Sequence, residues 1–93
     1  MSKKINVLTE GDRIEIKAYI RANFSQRWAF QLYDERTVKG GSMWSMKIKP
    51  VSRKQQTEIV KHLREHYEIE AEKYVITGRY NRRLAVKFHY FRA

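Results

Sequence analysis

Residues 13–22 read Arg-Ile-Glu-Ile-Lys-Ala-Tyr-Ile-Arg-Ala. Ile14, Ile16, Ala18 and Ile20 alternate with Arg13, Glu15, Lys17, Tyr19 and Arg21. Successive side chains of an extended strand point to opposite faces, so a period of two predicts a half-buried strand. Taken as a strand, this segment makes the N-terminal half of the chain entirely β.

Upstream, a loose start over residues 1–4 leads into Ile5, Val7 and Leu8, a short additional strand ended by the turn signal Glu10-Gly11-Asp12. Downstream, residues 23–26 are polar enough for a turn. Trp28, Phe30 and Leu32 then alternate with Ala29, Gln31 and Tyr33, which predicts a second strand. Residues 34–42, containing Gly40-Gly41, read as a loop. Trp44, Met46 and Ile48 alternate with Ser45, Lys47 and Lys49 in a third strand that Pro50 stops.

Ser52 and Gln55 have capping-box spacing, so a helix is expected from there to about Tyr67. Ile59, Val60, Leu63 and Tyr67 form its apolar stripe. Glu68, Glu70 and Glu72 mark an acidic connector that stays solvated. Residues 73–80 and 83–92 are β-rich and joined by a tight turn at Asn81-Arg82. The expected fold is α+β in the order βββαββ, with the extra short strand at its start. It is a single antiparallel sheet with one helix packed on one face.

A length of 93 residues with 42% hydrophobic and 13% aromatic side chains suits one domain with a modest core, spanning 1–93. Twenty Lys and Arg against ten Asp and Glu leave a net charge of +10. The excess is not a tail: residues 1–50 and 51–93 each carry ten basic and five acidic side chains. A charge spread this way repels itself, and a polyanion relieves it while shedding counterions. The chain has no cysteine, which excludes disulfides and thiolate zinc sites. No apolar run nears the roughly 18 residues of a membrane span, and no signal-peptide core follows the first lysines. The expectation is a protein inside the cell, cytoplasmic or nucleoid-associated, with no membrane partner and no cofactor.

The expected partner is nucleic acid, DNA or RNA, bound on the sheet face opposite the helix. The positions facing that way are Arg13, Lys17, Tyr19 and Arg21, with Glu15 among them, then Gln31, Tyr33, Lys47 and Lys49. The last two strands add Thr77, Arg79, Lys87, His89 and Phe91. Lys and Arg suit phosphates, while Tyr19, Tyr33 and Phe91 suit base stacking. Arg79, Arg82 and Arg83 lie near the hairpin tip, where a β-ribbon can enter a groove. The alternative is plain solvation of a sheet by Lys, Arg and Tyr, with the aromatics serving a protein contact. That reading makes the chain an interaction or inhibitor module, of the size phages and mobile elements encode, docking on an acidic partner such as a nuclease. An edge strand pairing two copies into a homodimer is a further expectation.

Catalysis is not expected. His62-Leu-Arg-Glu65-His66 matches H-x-x-E-H, which sets two imidazoles one turn apart for a metal. His62 and His66 need a third ligand, for which only His89 or a distant carboxylate is available. A small metal-dependent nuclease therefore stays a remote alternative, and Tyr67 reads as the end of the helix stripe rather than a nucleophile. No nucleophile elbow, P-loop or dinucleotide fingerprint occurs.

Overall fold

The computed structural model describes residues 6–24 and 31–93. Their elements are β1 (Asn6–Leu8), α1 (Glu10–Phe24), β2 (Gln31–Arg36), β3 (Met43–Val51), α2 (Arg53–Tyr67), β4 (Glu72–Thr77) and β5 (Arg82–Arg92). The expected turn at 23–26 and strand around Trp28 and Phe30 fall largely outside the described residues, as do the loose start and Ile5.

Residues 13–22 are helical rather than extended, within α1. Thr9 and Asp12 start α1 with a capping box. The Asp12 N–H donates to Thr9 Oγ1, and the Thr9 N–H donates to Asp12 Oδ2, both at 3.1 Å. On a helix the alternating isoleucines separate. Ile16 and Ile20, joined by Phe24, form a buried stripe at four-residue spacing, while Ile14 is 61% exposed. The alternation of period two was a by-product of an apolar residue on the solvent side.

Strand β5 is the axis of the sheet. One edge pairs antiparallel with β3, from Met43↔Phe91 to Val51↔Leu84. The other edge is shared end to end by two short strands. Here β4 pairs antiparallel with residues from Arg82 to Lys87, and β1 pairs parallel with Tyr90 to Arg92. β2 lies outside β3, giving the order β1-β5-β3-β2 with β4 also on β5. The sheet is therefore mixed rather than purely antiparallel, and two helices cover it rather than one. Followed by a helix instead of a hairpin, β1 is free to join the far edge in parallel.

Smaller differences have local causes. Asp34, Glu35 and Arg36 continue β2, shortening the loop to 37–42, because Asp34 finds partners. The Tyr90 hydroxyl donates to Asp34 Oδ1 at 2.6 Å, and Lys17 of α1 forms an ion pair with Oδ2. Burial, helped by that hydrogen bond, pushes the Tyr90 phenol up to about 12. Pro50 lies within β3 rather than ending it. Lacking an N–H, it coincides with a register shift between Ile48 and Val51. The last turn occupies 78–81, closed by the Gly78 N–H to the Asn81 carbonyl at 2.8 Å, so Arg82 already belongs to β5.

The capping box of α2 forms as its spacing predicts. Ser52 Oγ accepts from the Gln55 N–H, and Gln55 Oε1 from the Ser52 N–H. Glu68 ends the helix in the left-handed region, at φ 55°, and Ile69 turns into the core behind it. Ile59, Val60 and Leu63 of α2 join Ile16, Ile20 and Phe24 of α1 in one cluster with Met46, Ile48, Val86, Phe88 and Tyr90. Both helices thus lie on the same side of the sheet. The buried Gln56 amide fixes α2 to the centre, donating to the Ala85 carbonyl at 2.9 Å. Between the helices, the Tyr19 ring stacks on His62 with centroids 3.4 Å apart, and the Tyr67 hydroxyl donates to Glu15. Burial, with His66 beside it, lowers the His62 pKa. No helix among the described residues is long and apolar enough to cross a membrane.

Helix and strand readings of residues 13–22 differ over Ile14. Ile16→Ala should destabilise the fold by about 2–4 kcal/mol in urea denaturation, and Ile14→Ala by less than about 0.5 kcal/mol. Equal losses at the two positions would contradict the helix.

Candidate nucleic-acid interface

Cross-strand partners share a face, so the register lays out the side of the sheet away from both helices row by row. At one end Val7, Phe91 and Met43 form an apolar row. Next come His89, Ser45 and Glu35, then Glu72, Lys87, Lys47 and Tyr33. Ala85 and Tyr74 follow, with Lys49 on β3 level with Gln31. Arg83 and Ile76 stand where the β4–β5 hairpin runs beyond β3.

The lysines of this face lie against rings. Lys49 Nζ is 4.9 Å and Lys47 Nζ 5.9 Å from the Tyr33 ring centroid, and Lys87 Nζ is 5.0 Å from that of Tyr74. Each contact stabilises a cation whose head still reaches water. Two carboxylates moderate the charge. Lys47 forms a hydrogen-bonded pair with Glu35, which holds the Glu35 carboxyl below its ordinary value and raises the Lys47 ammonium. Lys87 lies 4.0 Å from Glu72. Among the described residues Lys49 has no carboxylate within ion-pair distance, so its charge is the least compensated of the three.

Tyr33 and Tyr74 approach this strip from opposite sides, on the two strands that flank β3 and β5. The Tyr74 hydroxyl is buried with no hydrogen-bond partner among the described residues. Loss of water pushes its pKa up, against the pull of Lys49 and Lys47. Beyond the strip, the hairpin tip holds Arg79 and Tyr80, with Tyr80 86% exposed and the Arg79 guanidinium 5.9 Å from its ring. A shallow hollow of about 340 Å³ opens beside them, lined in part by Arg83 and Ile76.

The twelve candidate residues thus fall into three groups. Tyr33, Lys47, Lys49, Lys87 and Phe91 share the face away from both helices, which no other described element covers. Arg79, Arg82 and Arg83 belong to the adjoining hairpin, where they are exposed. Arg13, Lys17, Tyr19 and Arg21 are on α1, across the sheet, and do not join them. Lys17 is paired with Asp34, the Arg13 guanidinium donates to the Leu8 carbonyl at 3.0 Å, and Tyr19 is stacked on His62. Those four positions share the face only on a strand, and on a helix they do not. Tyr74 is outside the expected set, since only the register against β5 tells which side of β4 faces away from the helices. Ser45 shares this face by the same alternation as Lys47 and Lys49, but an uncharged side chain gives no binding signal. His62 and His66 sit with ring centroids 4.3 Å apart on α2, and among the described residues no third His, Asp or Glu completes a metal-binding group with them. His89 is on the opposite side of the sheet.

A buried hydroxyl without a partner carries a desolvation penalty that a phenylalanine does not. Tyr74→Phe should raise stability by about 1 kcal/mol, read as a higher urea midpoint with an unchanged slope. A lower midpoint would show that the hydroxyl is bonded in solution. Comparison of the chain with protein-family models, curated proteins and solved structures gives no match, so its own geometry is the basis for assigning a role.

Proposed function

We propose that the uncovered face binds single-stranded nucleic acid, without catalysis. The observation that carries this reading is the interleaving of Lys47, Lys49 and Lys87 with Tyr33 and Tyr74 on a face that no described element covers. Ammonium groups two residues apart on a strand are roughly 7 Å apart along it, a step that suits successive phosphates of an extended chain. Each ammonium has a ring beside it on which a base can stack, at about 1–3 kcal/mol per stacked base. The exposed Arg83 extends the same positive track along the hairpin towards Arg79 at its tip, whereas Arg82, opposite Thr77, projects to the helix side. Both features favour a flexible single strand over a rigid duplex, which cannot follow the sheet and stack on it together.

A second reading rests on Tyr80. A tyrosine this exposed, flanked by arginines at a hairpin tip, also fits docking on an acidic protein surface. Tyr80→Ala separates the two: it should leave oligonucleotide affinity within about twofold, while abolishing a protein contact made through the tip.

Anisotropy titrations with labelled single-stranded DNA and RNA test the main reading. Replacing Lys47, Lys49 and Lys87 together with Gln should weaken binding at least tenfold. It should also reduce the salt slope by about 2, at about 0.7 per phosphate contact. Replacing Lys54, Lys61 and Arg64 of α2 with Gln removes the same charge from the other side and should change affinity less than threefold. Equal losses would mean that net charge alone attracts the oligonucleotide.

A further inference from the structure

Between the apolar row and the lysine row lies a hollow of about 260 Å³, lined among others by Ser45, His89, Lys47, Lys87 and Glu35. Ser45 is a buried polar residue, 4% exposed, in the middle of β3. Its Oγ is 3.0 Å from His89 Nδ1 across the β3–β5 pair. The pair leaves a donor in either neutral tautomer. If Nδ1 accepts the serine proton, Nε2–H remains; if Nδ1–H donates, the serine hydroxyl proton remains. The ammonium groups of Lys47 and Lys87 follow one row away on the same two strands.

We propose that this hollow seats the terminal phosphomonoester of a bound strand, so that the face engages an end and not only a chain interior. The inference rests on the nucleic-acid reading above and deepens it. The positive track runs from Arg83 through Lys49 to Lys47 and Lys87, then meets Ser45 and His89. Val7, Phe91 and Met43 stand beyond them, so on this face the cationic rows stop at the hollow. A terminal phosphate carries more charge than an internal diester, about −1.5 to −2, and presents three acceptor oxygens. Two ammonium groups with a hydroxyl–imidazole pair suit it better than they suit a monoanion. The apolar row next to the hollow offers Phe91 to the terminal base. Glu35 is the competing anion: it holds Lys47 in the free protein and, being exposed, is displaced at little cost.

The test compares one single-stranded oligonucleotide bearing a 5′-phosphate, a 3′-phosphate or hydroxyls at both ends, at fixed salt. One of the phosphorylated forms should bind about tenfold more tightly than the hydroxyl form. His89→Ala and Ser45→Ala should each bring that ratio close to one while leaving the hydroxyl oligonucleotide unaffected. His89 is exposed, so that variant should fold even where the serine variant does not. Glu35→Gln should tighten binding of the phosphorylated form. Equal affinity for all three oligonucleotides overturns the terminal seat and leaves the face reading standing. If none of the three binds at low salt, both fall.

Discussion

Strand β5 needs a hydrogen-bonding neighbour along both edges, and the fold is arranged around meeting that need. Its eleven residues are longer than any one partner on the β1/β4 side, so two short strands share that edge while β3 spans the other. The alternation of β5 then sets the two faces of the molecule. Val86, Phe88 and Tyr90 anchor the core under both helices, while Lys87, His89 and Phe91 project to the other side. Backbone pairing and side-chain alternation together make the lysine-bearing face a consequence of the core. A one-residue slip of β5 would bury Lys87 and His89 and expose Phe88 and Tyr90, which strongly resists any other register.

The parts legible in the sequence were those whose signals are local. The reciprocal Ser52–Gln55 cap and the Ile59, Val60, Leu63 stripe placed α2 correctly, and the alternation around Met46 and Ile48 identified β3. Residues 13–22 were misread because Ile14 completed an alternation that Ile16 and Ile20 satisfy equally well as a helix stripe. The local signal for the helix was present in Thr9 and Asp12, at cap spacing with an acidic side chain in the third helical position. It was read as part of a turn. The parallel pairing of β1 with β5 joins residues more than eighty positions apart, and no local pattern specifies it.

The same distinction applies to the candidate interface. Lys47, Lys49 and Lys87 were recognisable from strand alternation alone, because Met46, Ile48, Val86 and Phe88 beside them are strongly apolar, and Tyr33 and Phe91 follow from the same alternation next to Leu32 and Tyr90. Tyr74 was not, since its place follows from the register of β4 against β5. The four α1 positions left the set with the change from strand to helix. Their loss shows that the net charge of +10 is not gathered on one side. Arg53, Lys54, Lys61 and Arg64 give α2 its own positive surface, so the uncovered face differs from it less in charge than in geometry. What distinguishes the face is the placing of Lys47, Lys49 and Lys87 beside the Tyr33 and Tyr74 rings along paired strands.

Lysine acetylation footprinting, with and without a single-stranded oligonucleotide, measures this difference residue by residue. The oligonucleotide is expected to protect Lys47, Lys49 and Lys87 several-fold and to leave Lys54 and Lys61 modified as in the free protein. Protection spread evenly over both sides, or confined to α2, would contradict this.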